Sequence, residues 1–173
     1  MLGRLAKWLR AFGFDVDYDP FLDDHGVIAR ARERGAIALT GDTEFPKPAD
    51  VRVIFIESDH LHEQLEQLLL DVPLDLAEAQ PLTRCTVCNQ TLVMATRDEV
   101  WRDIPPFICL TNETYARCPD CRRVYWEGSH ATRMREGLAV LSGKGRRACV
   151  RPPSGVRPTH PCYRTAGRDQ GGE

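Results

Sequence analysis

Arg84-Cys85-Thr86-Val87-Cys88-Asn89 and Cys118-Pro119-Asp120-Cys121 decide how the second half of this chain is read. Two residues between cysteines allow a tight turn that aims both sulfurs at one ion. Two such turns complete the tetrahedral thiolate cage that Zn²⁺ prefers as a closed structural site. The 29 residues between Cys88 and Cys118 exceed the common spacing for such sites but are enough for a hairpin. Residues 91–94 and 107–110 read as short β runs around Pro105-Pro106. A redox Cys-x-x-Cys and a pair of disulfides are the rival readings, but a redox motif needs only one pair. The spacing predicts a zinc ribbon held by Cys85, Cys88, Cys118 and Cys121.

The residues before the ribbon alternate between helical and strand patterns. Leu2, Leu5, Leu9 and Phe12 fall at helical spacing with Trp8 beside them, and Gly13 fits the stop of that helix. Arg4, Lys7 and Arg10 share its opposite arc, open to solvent or to nucleic-acid phosphates. Phe14, Val16 and Tyr18 alternate with Asp15 and Asp17 and predict a short strand, broken at Asp19-Pro20. Asp23-Asp24 opens a helix to Arg34 that buries Val27, Ile28 and Ala31 and stops at Gly35. Residues 36–39 and 51–56 read as buried strands, and Ser58 or Asp59 caps a helix over residues 60–70. This alternation predicts an α/β domain, a parallel sheet flanked by helices.

That topology gives the acids a meaning. Open α/β sheets bind ligands at the carboxyl ends of their strands. Asp19, Asp42, Glu57 and Asp59 follow predicted strands, and Asp23 and Asp24 begin a neighbouring helix. Acids converging on one crevice favour a hard divalent cation. The plainer roles are caps for Asp24 and Asp59 and solvent-facing positions for Asp15 and Asp17. Asp42 is the hardest to explain structurally, because Glu44 follows it two residues later.

The domain plan is 1–80, 81–142 and 143–173: an α/β domain, a zinc ribbon and a tail. Residues 74–82 read as the linker. After the second knuckle, Arg122-Arg123-Val124-Tyr125-Trp126-Glu127-Gly128-Ser129-His130 is basic and aromatic together. That composition suits single-stranded RNA, by phosphate contact and base stacking, or else a small ribbon core. Arg4, Arg122, Arg123, Trp126 and His130 are the candidate RNA contacts. Met134, Leu138 and Leu141 predict a closing helix, and the Arg-, Pro- and Gly-rich residues from Lys144 onward a disordered basic tail. Cys109, Cys149 and Cys162 are assigned to no metal.

Charge and composition narrow the classes further. The net charge of −2 conceals an acidic half and a basic one. Residues 1–80 hold 16 acids and 8 bases, and residues 81–173 hold 9 acids and 15 bases. That asymmetry fits metal chemistry on one side and a polyanion on the other, or simply solvated charge. No apolar run approaches the roughly 20 residues of a membrane span. Arg4, Lys7 and Arg10 interrupt any signal-peptide core, and the acid-free amphipathic start leaves a mitochondrial presequence as a minor alternative. Seven cysteines, four of them in knuckles, suit a reducing cytoplasm.

These motifs resemble the PIN-like ribonuclease domain with a C-terminal zinc ribbon, named for the Mut-seven C-terminal RNase domain. Leu2-Gly3-Arg4-Leu5-Ala6-Lys7-Trp8-Leu9-Arg10 with Gly13 is similar to its opening helix. Asp23-Asp24, Thr40-Gly41-Asp42, Glu63-Gln64-Leu65, Arg84-Cys85-x-x-Cys88-Asn89, Cys118-x-x-Cys121 and residues 124–130 follow in order, covering about residues 1–141. The resemblance implies a metal-dependent ribonuclease. Asp42 and Asp24, helped by Asp23 or Glu44, would hold Mg²⁺ or Mn²⁺, and the zinc ribbon would dock RNA. It also implies an opening strand ending in a ligand aspartate before the Met1-Leu2-Gly3 equivalent. Without one, weak or no activity is expected for the chain as written. A non-catalytic RNA-binding or protein-docking zinc ribbon on a silent PIN-like scaffold is the alternative. A redox-sensing zinc thiolate protein stands third, supported only by the extra cysteines.

Overall fold

The computed structural model describes residues 2–72, 80 and 83–128. Helix α1, Gly3–Ala11, buries Leu5 and Leu9 and leads directly into buried Phe12. Its end is a Schellman turn: the Gly13 N–H donates to Arg10 O at 2.9 Å and the Phe14 N–H to Leu9 O at 3.0 Å. Gly13 sits at φ 95°, where a Cβ would come within 2.6 Å of the Gln80 carbonyl oxygen. Helix α2, Asp24–Arg34, starts where the Asp23 carboxylate accepts the Gly26 N–H at 2.9 Å. It stops at Gly35 in the left-handed conformation.

Strands β1, Ala38–Thr40, and β2, Val53–Phe55, pair in parallel with Ala38 opposite Val53. Successive side chains of a strand face opposite ways. Ile37 and Leu39 accordingly join Ile54, Ile56, Leu65 and Leu68 beneath α1 and α3, the helix Leu61–Asp71. Ala38 and Val53 instead join Ile28, Ala31, Phe45 and Val51 under α2. Both faces of the sheet are covered by helices, as the alternating pattern requires. Helix α3 begins later than the sequence predicts: its N-cap is His60, without a side-chain cap. Ser58 Oγ instead accepts the His60 N–H at 3.0 Å and donates to Glu63 at 2.5 Å.

The expected strand over residues 14–18 does not form. These residues join no ladder. The Val16 carbonyl accepts from Arg10 Nε at 2.8 Å, and the Val16 N–H donates to the Asn89 side chain at 3.2 Å. Side chains have taken the groups a neighbouring strand would use. An apolar cleft of about 480 Å³ lies between this segment, α1, α2 and β1. Four consecutive residues, Ala36, Ile37, Ala38 and Leu39, line it, so it follows the edge of β1 away from β2.

The ribbon is an antiparallel three-stranded sheet in the order β3-β4-β5, made of Val93–Ala95, Tyr115–Arg117 and Val124–Trp126. Two short helices lie between β3 and β4: α4, Arg97–Val100, and α5, Pro106–Thr111. The predicted β run at residues 107–110 is therefore helical. Pro106 occupies the first helical turn, where a missing N–H costs nothing and φ is preset, so Pro105-Pro106 starts a helix instead of turning a hairpin. Val100, Ile104 and Tyr115 form the ribbon core, with Val124 and Trp126 packed on it. The predicted helix around Met134, Leu138 and Leu141 and the tail from Lys144 lie outside the described residues.

Candidate metal centre and acidic depression

The two knuckles are copies of one turn. Asn89 N–H donates to Cys85 O at 3.0 Å and Arg122 N–H to Cys118 O at 3.1 Å. Cys85 N–H donates to Gln90 O at 2.8 Å and Cys118 N–H to Arg123 O at 2.9 Å. The residue after each second cysteine is left-handed, Asn89 at φ 67° and Arg122 at φ 59°. Asparagine tolerates that region, whereas for other L residues it costs about 1–2 kcal/mol. Arg122→Asn should therefore stabilise the ribbon by about 1 kcal/mol. Denaturant titration of the zinc-loaded chain should show a raised midpoint at unchanged slope.

The four sulfurs lie within 4.8 Å of one another, and all are free thiols. Cys85 Sγ is 3.5 Å from Cys121 Sγ, and Cys88 Sγ is 3.3 Å from Cys118 Sγ. A tetrahedron with Zn–S bonds of about 2.3 Å has sulfurs about 3.8 Å apart, whereas a disulfide needs about 2.0 Å. The donor set and spacing fit zinc. Cys85 and Cys118 are fully buried, which suits a closed structural site.

The surroundings of the cage separate its thiols. Burial pushes the Cys88 and Cys118 thiols above their ordinary range, and Cys121, though exposed as a residue, is raised too by partial desolvation of its sulfur and its contact with Cys85. Burial acts the same way on Cys85, but the Cys88 N–H, the Tyr125 hydroxyl and the Val87 N–H together outweigh it and bring that thiol down to about 6. Tyr125 Oη lies 3.2 Å from Cys85 Sγ and accepts the Thr86 N–H at 3.2 Å. Burial and the Cys85 contact raise the Tyr125 phenol to about 12, so it stays protonated. Tyr125 is thus a sulfur partner within the first knuckle, a role its aromatic character alone does not signal.

A second site opens at the carboxyl end of β1. Asp24, from the first turn of α2, and Asp42, just past β1, line one depression of about 430 Å³ with Thr40, Gly41 and Thr43. Asp42 is fixed by its own turn. Its N–H donates to Thr40 Oγ1 at 3.0 Å, and its carboxylate accepts the Glu44 N–H at 2.9 Å. Two carboxylates beside hydroxyl oxygens are hard donors, the chemistry Mg²⁺ or Mn²⁺ takes. Asp23 is the N-cap of α2 and does not line the depression. Glu44, Glu57 and Asp59 are exposed and line no part of the depression. Among the described residues, only the cysteines bring three or more ligand atoms within 4.8 Å of one another.

The candidate RNA contacts are spread over the surface. Arg4 on α1 and Arg122 and Arg123 at the second knuckle are exposed. Trp126 is half-buried against the ribbon core, and His130 lies outside the described residues. Arg10, grouped with Arg4 and Lys7 by helical spacing, is instead buried, its side chain held by backbone carbonyls.

The Mut7-C RNAse domain matches residues 1–138. The chain belongs to that family. This Mut7-C chain combines a helix-covered parallel sheet with a four-cysteine ribbon. No curated protein and no solved structure matches it. Among the described residues no helix is long and apolar enough to cross a membrane.

Proposed function

We propose that this chain is a metal-dependent ribonuclease whose zinc ribbon docks single-stranded RNA. The observation that carries the reading is the shared depression. Asp24 and Asp42 come from separate elements and meet at the carboxyl end of a parallel strand, where such sheets place ligands. Membership of an RNase domain family supplies the substrate class. A divalent ion at this site would supply Lewis acidity and an activated water for in-line attack on the phosphate. Asp42 would hold the ion from its fixed turn, Asp24 would approach from α2, and Asp23 and Glu44 would steady those two positions. The thiolate cage suits a reducing compartment, and the cytoplasm is the location we favour. Cleavage of labelled single-stranded RNA with Mg²⁺ or Mn²⁺ tests the assignment.

One observation favours a second reading, a non-catalytic RNA-binding or protein-docking role. The depression holds two carboxylates, whereas a hard divalent ion takes about six oxygens. Binding without cleavage in that assay would select it.

The basic second half should supply most of the RNA affinity. Each phosphate neutralised on a single strand steepens the fall of log affinity with log salt by roughly 0.7. Deleting residues 144–173 should flatten this slope, and replacing Arg122 and Arg123 by alanine should flatten it further. An unchanged slope in both variants would move the binding surface to α1 or elsewhere.

A further inference from the structure

The first zinc knuckle is gripped from behind by the N-terminal half. Arg10 is only 4% exposed, and its guanidinium enters the back of the Cys85–Cys88 turn. Arg10 Nη1 donates to Val87 O at 2.7 Å and to Thr86 O at 3.4 Å, while Nε donates to Val16 O at 2.8 Å. Asn89 closes the grip from the other side. It accepts the Val16 N–H at 3.2 Å and donates to the Asp15 carboxylate at 2.7 Å. Arg84 completes it, 3.3 Å from the same carboxylate and donating to Asn89 O at 3.0 Å.

The dipoles of the knuckle explain the arrangement. The Cys88 N–H points at Cys85 Sγ, at 3.5 Å, while the Thr86 and Val87 carbonyls point away from the sulfurs toward Arg10. Two of the three carbonyls that hold the buried guanidinium belong to the Cys85–Cys88 turn, whose two sulfurs a bound zinc would hold together. Opening that turn would leave a buried cation short of acceptors, a state the fold avoids. Four thiolates around Zn²⁺ carry net negative charge, so a cation behind the turn also favours the loaded cage.

We infer that Arg10, with Asn89, is a positioning residue of the metal centre, and that zinc binding and the order of α1 are coupled through it. The inference rests on zinc occupying the four-cysteine cage. Coupling of two equilibria is reciprocal. Removing zinc loosens α1 as well as the ribbon, and removing the grip weakens zinc binding by about ten- to a hundredfold, as for other groups that support metal ligands.

The test uses the full chain. Hydrogen exchange is read at the Ala6, Phe12 and Phe14 amides before and after zinc is withdrawn by a chelator. Zinc affinity is then measured by competition with a chromophoric chelator for the parent, Arg10→Met and Asn89→Gly. Glycine keeps the left-handed backbone at residue 89 and removes only the side-chain grip. The cobalt-substituted spectrum of each variant checks that four thiolates still bind. Loss of α1 protection in the zinc-free parent, with weaker zinc in either variant, supports the coupling. Unchanged α1 protection after zinc removal overturns it, as does parent-like zinc affinity in Asn89→Gly and in any Arg10→Met that folds. A parent that binds no zinc overturns the zinc reading itself and this inference with it, an outcome distinct from the other two.

Discussion

Cys118→Ser should strip zinc from this chain and melt its ribbon. Cys118 is fully buried and pairs with Cys88 across the cage at 3.3 Å between sulfurs. A serine hydroxyl does not ionise near neutral pH and is a poor ligand for a borderline-soft ion. Structural zinc binding of this type is worth about 10–16 kcal/mol and appears as folding free energy. The ribbon has little to replace it, because Val100, Ile104 and Tyr115 are the buried residues of its apolar core. The parent should hold one zinc per chain, and a chelator should reproduce the unfolding of the variant. Acid should weaken binding: the ligands must be thiolates, and the Cys88, Cys118 and Cys121 thiols are raised above their ordinary range, so zinc must expel protons that low pH restores. Metal analysis showing substoichiometric zinc, or a variant that keeps its zinc, would refute the assignment.

The cage was legible in the sequence because its chemistry is local. Each Cys-x-x-Cys closes within one turn, and chance seldom supplies two. Helices α1 and α2 were legible for the same reason, since Gly13 and Gly35 mark their ends at positive φ. The insert between the knuckles was misread where two local signals competed. Residues 107–110 are apolar enough for a strand, but Pro106 ahead of them sits in the first turn of a helix. Thr96-Arg97-Asp98-Glu99 held a signal that the strand reading passed over. Thr96 and Glu99 form a capping box, with the Thr96 N–H 2.6 Å from Glu99 Oε2.

Long-range polar contacts were not legible at all. Periodicity placed Arg10 with Arg4 and Lys7, yet Arg10 crosses 77 residues of chain to reach Val87 O. Nothing in a helical pattern distinguishes an arginine that faces water from one that meets carbonyls. The alternation in residues 14–18 was real but not decisive. A strand needs a neighbour to accept its ladder, and here Arg10 and Asn89 satisfy Val16 instead. The acids were legible as a set through topology, but only the fold separates Asp24 and Asp42, which share a depression, from Asp23, which caps a helix.

Asp42→Asn should abolish whatever RNA cleavage the chain shows while leaving the fold intact. The amide keeps an oxygen able to accept the Glu44 N–H, so the turn at residues 42–44 survives and melting should hardly change. It loses the charge that would hold a divalent ion, at a site where, among the described residues, Asp24 is the one other carboxylate lining the depression. Losing preorganised electrostatic stabilisation at a reacting phosphate costs on the order of a hundredfold or more in rate. Asp24→Asn should act similarly, whereas Asp23→Asn should be milder, since asparagine caps a helix about as well as aspartate. The cleft along the edge of β1 adds a further arm. A strand entering it parallel to β1 and ending in aspartate would bring a third carboxylate toward Thr40 and Asp42, so a chain extended upstream in that form should cleave faster. Labelled single-stranded RNA with Mg²⁺ or Mn²⁺ decides among these chains. Cleavage by Asp42→Asn at the parental rate would place the reaction elsewhere. An extended chain inert with both metals would leave the depression a binding surface and the protein an RNA-docking one.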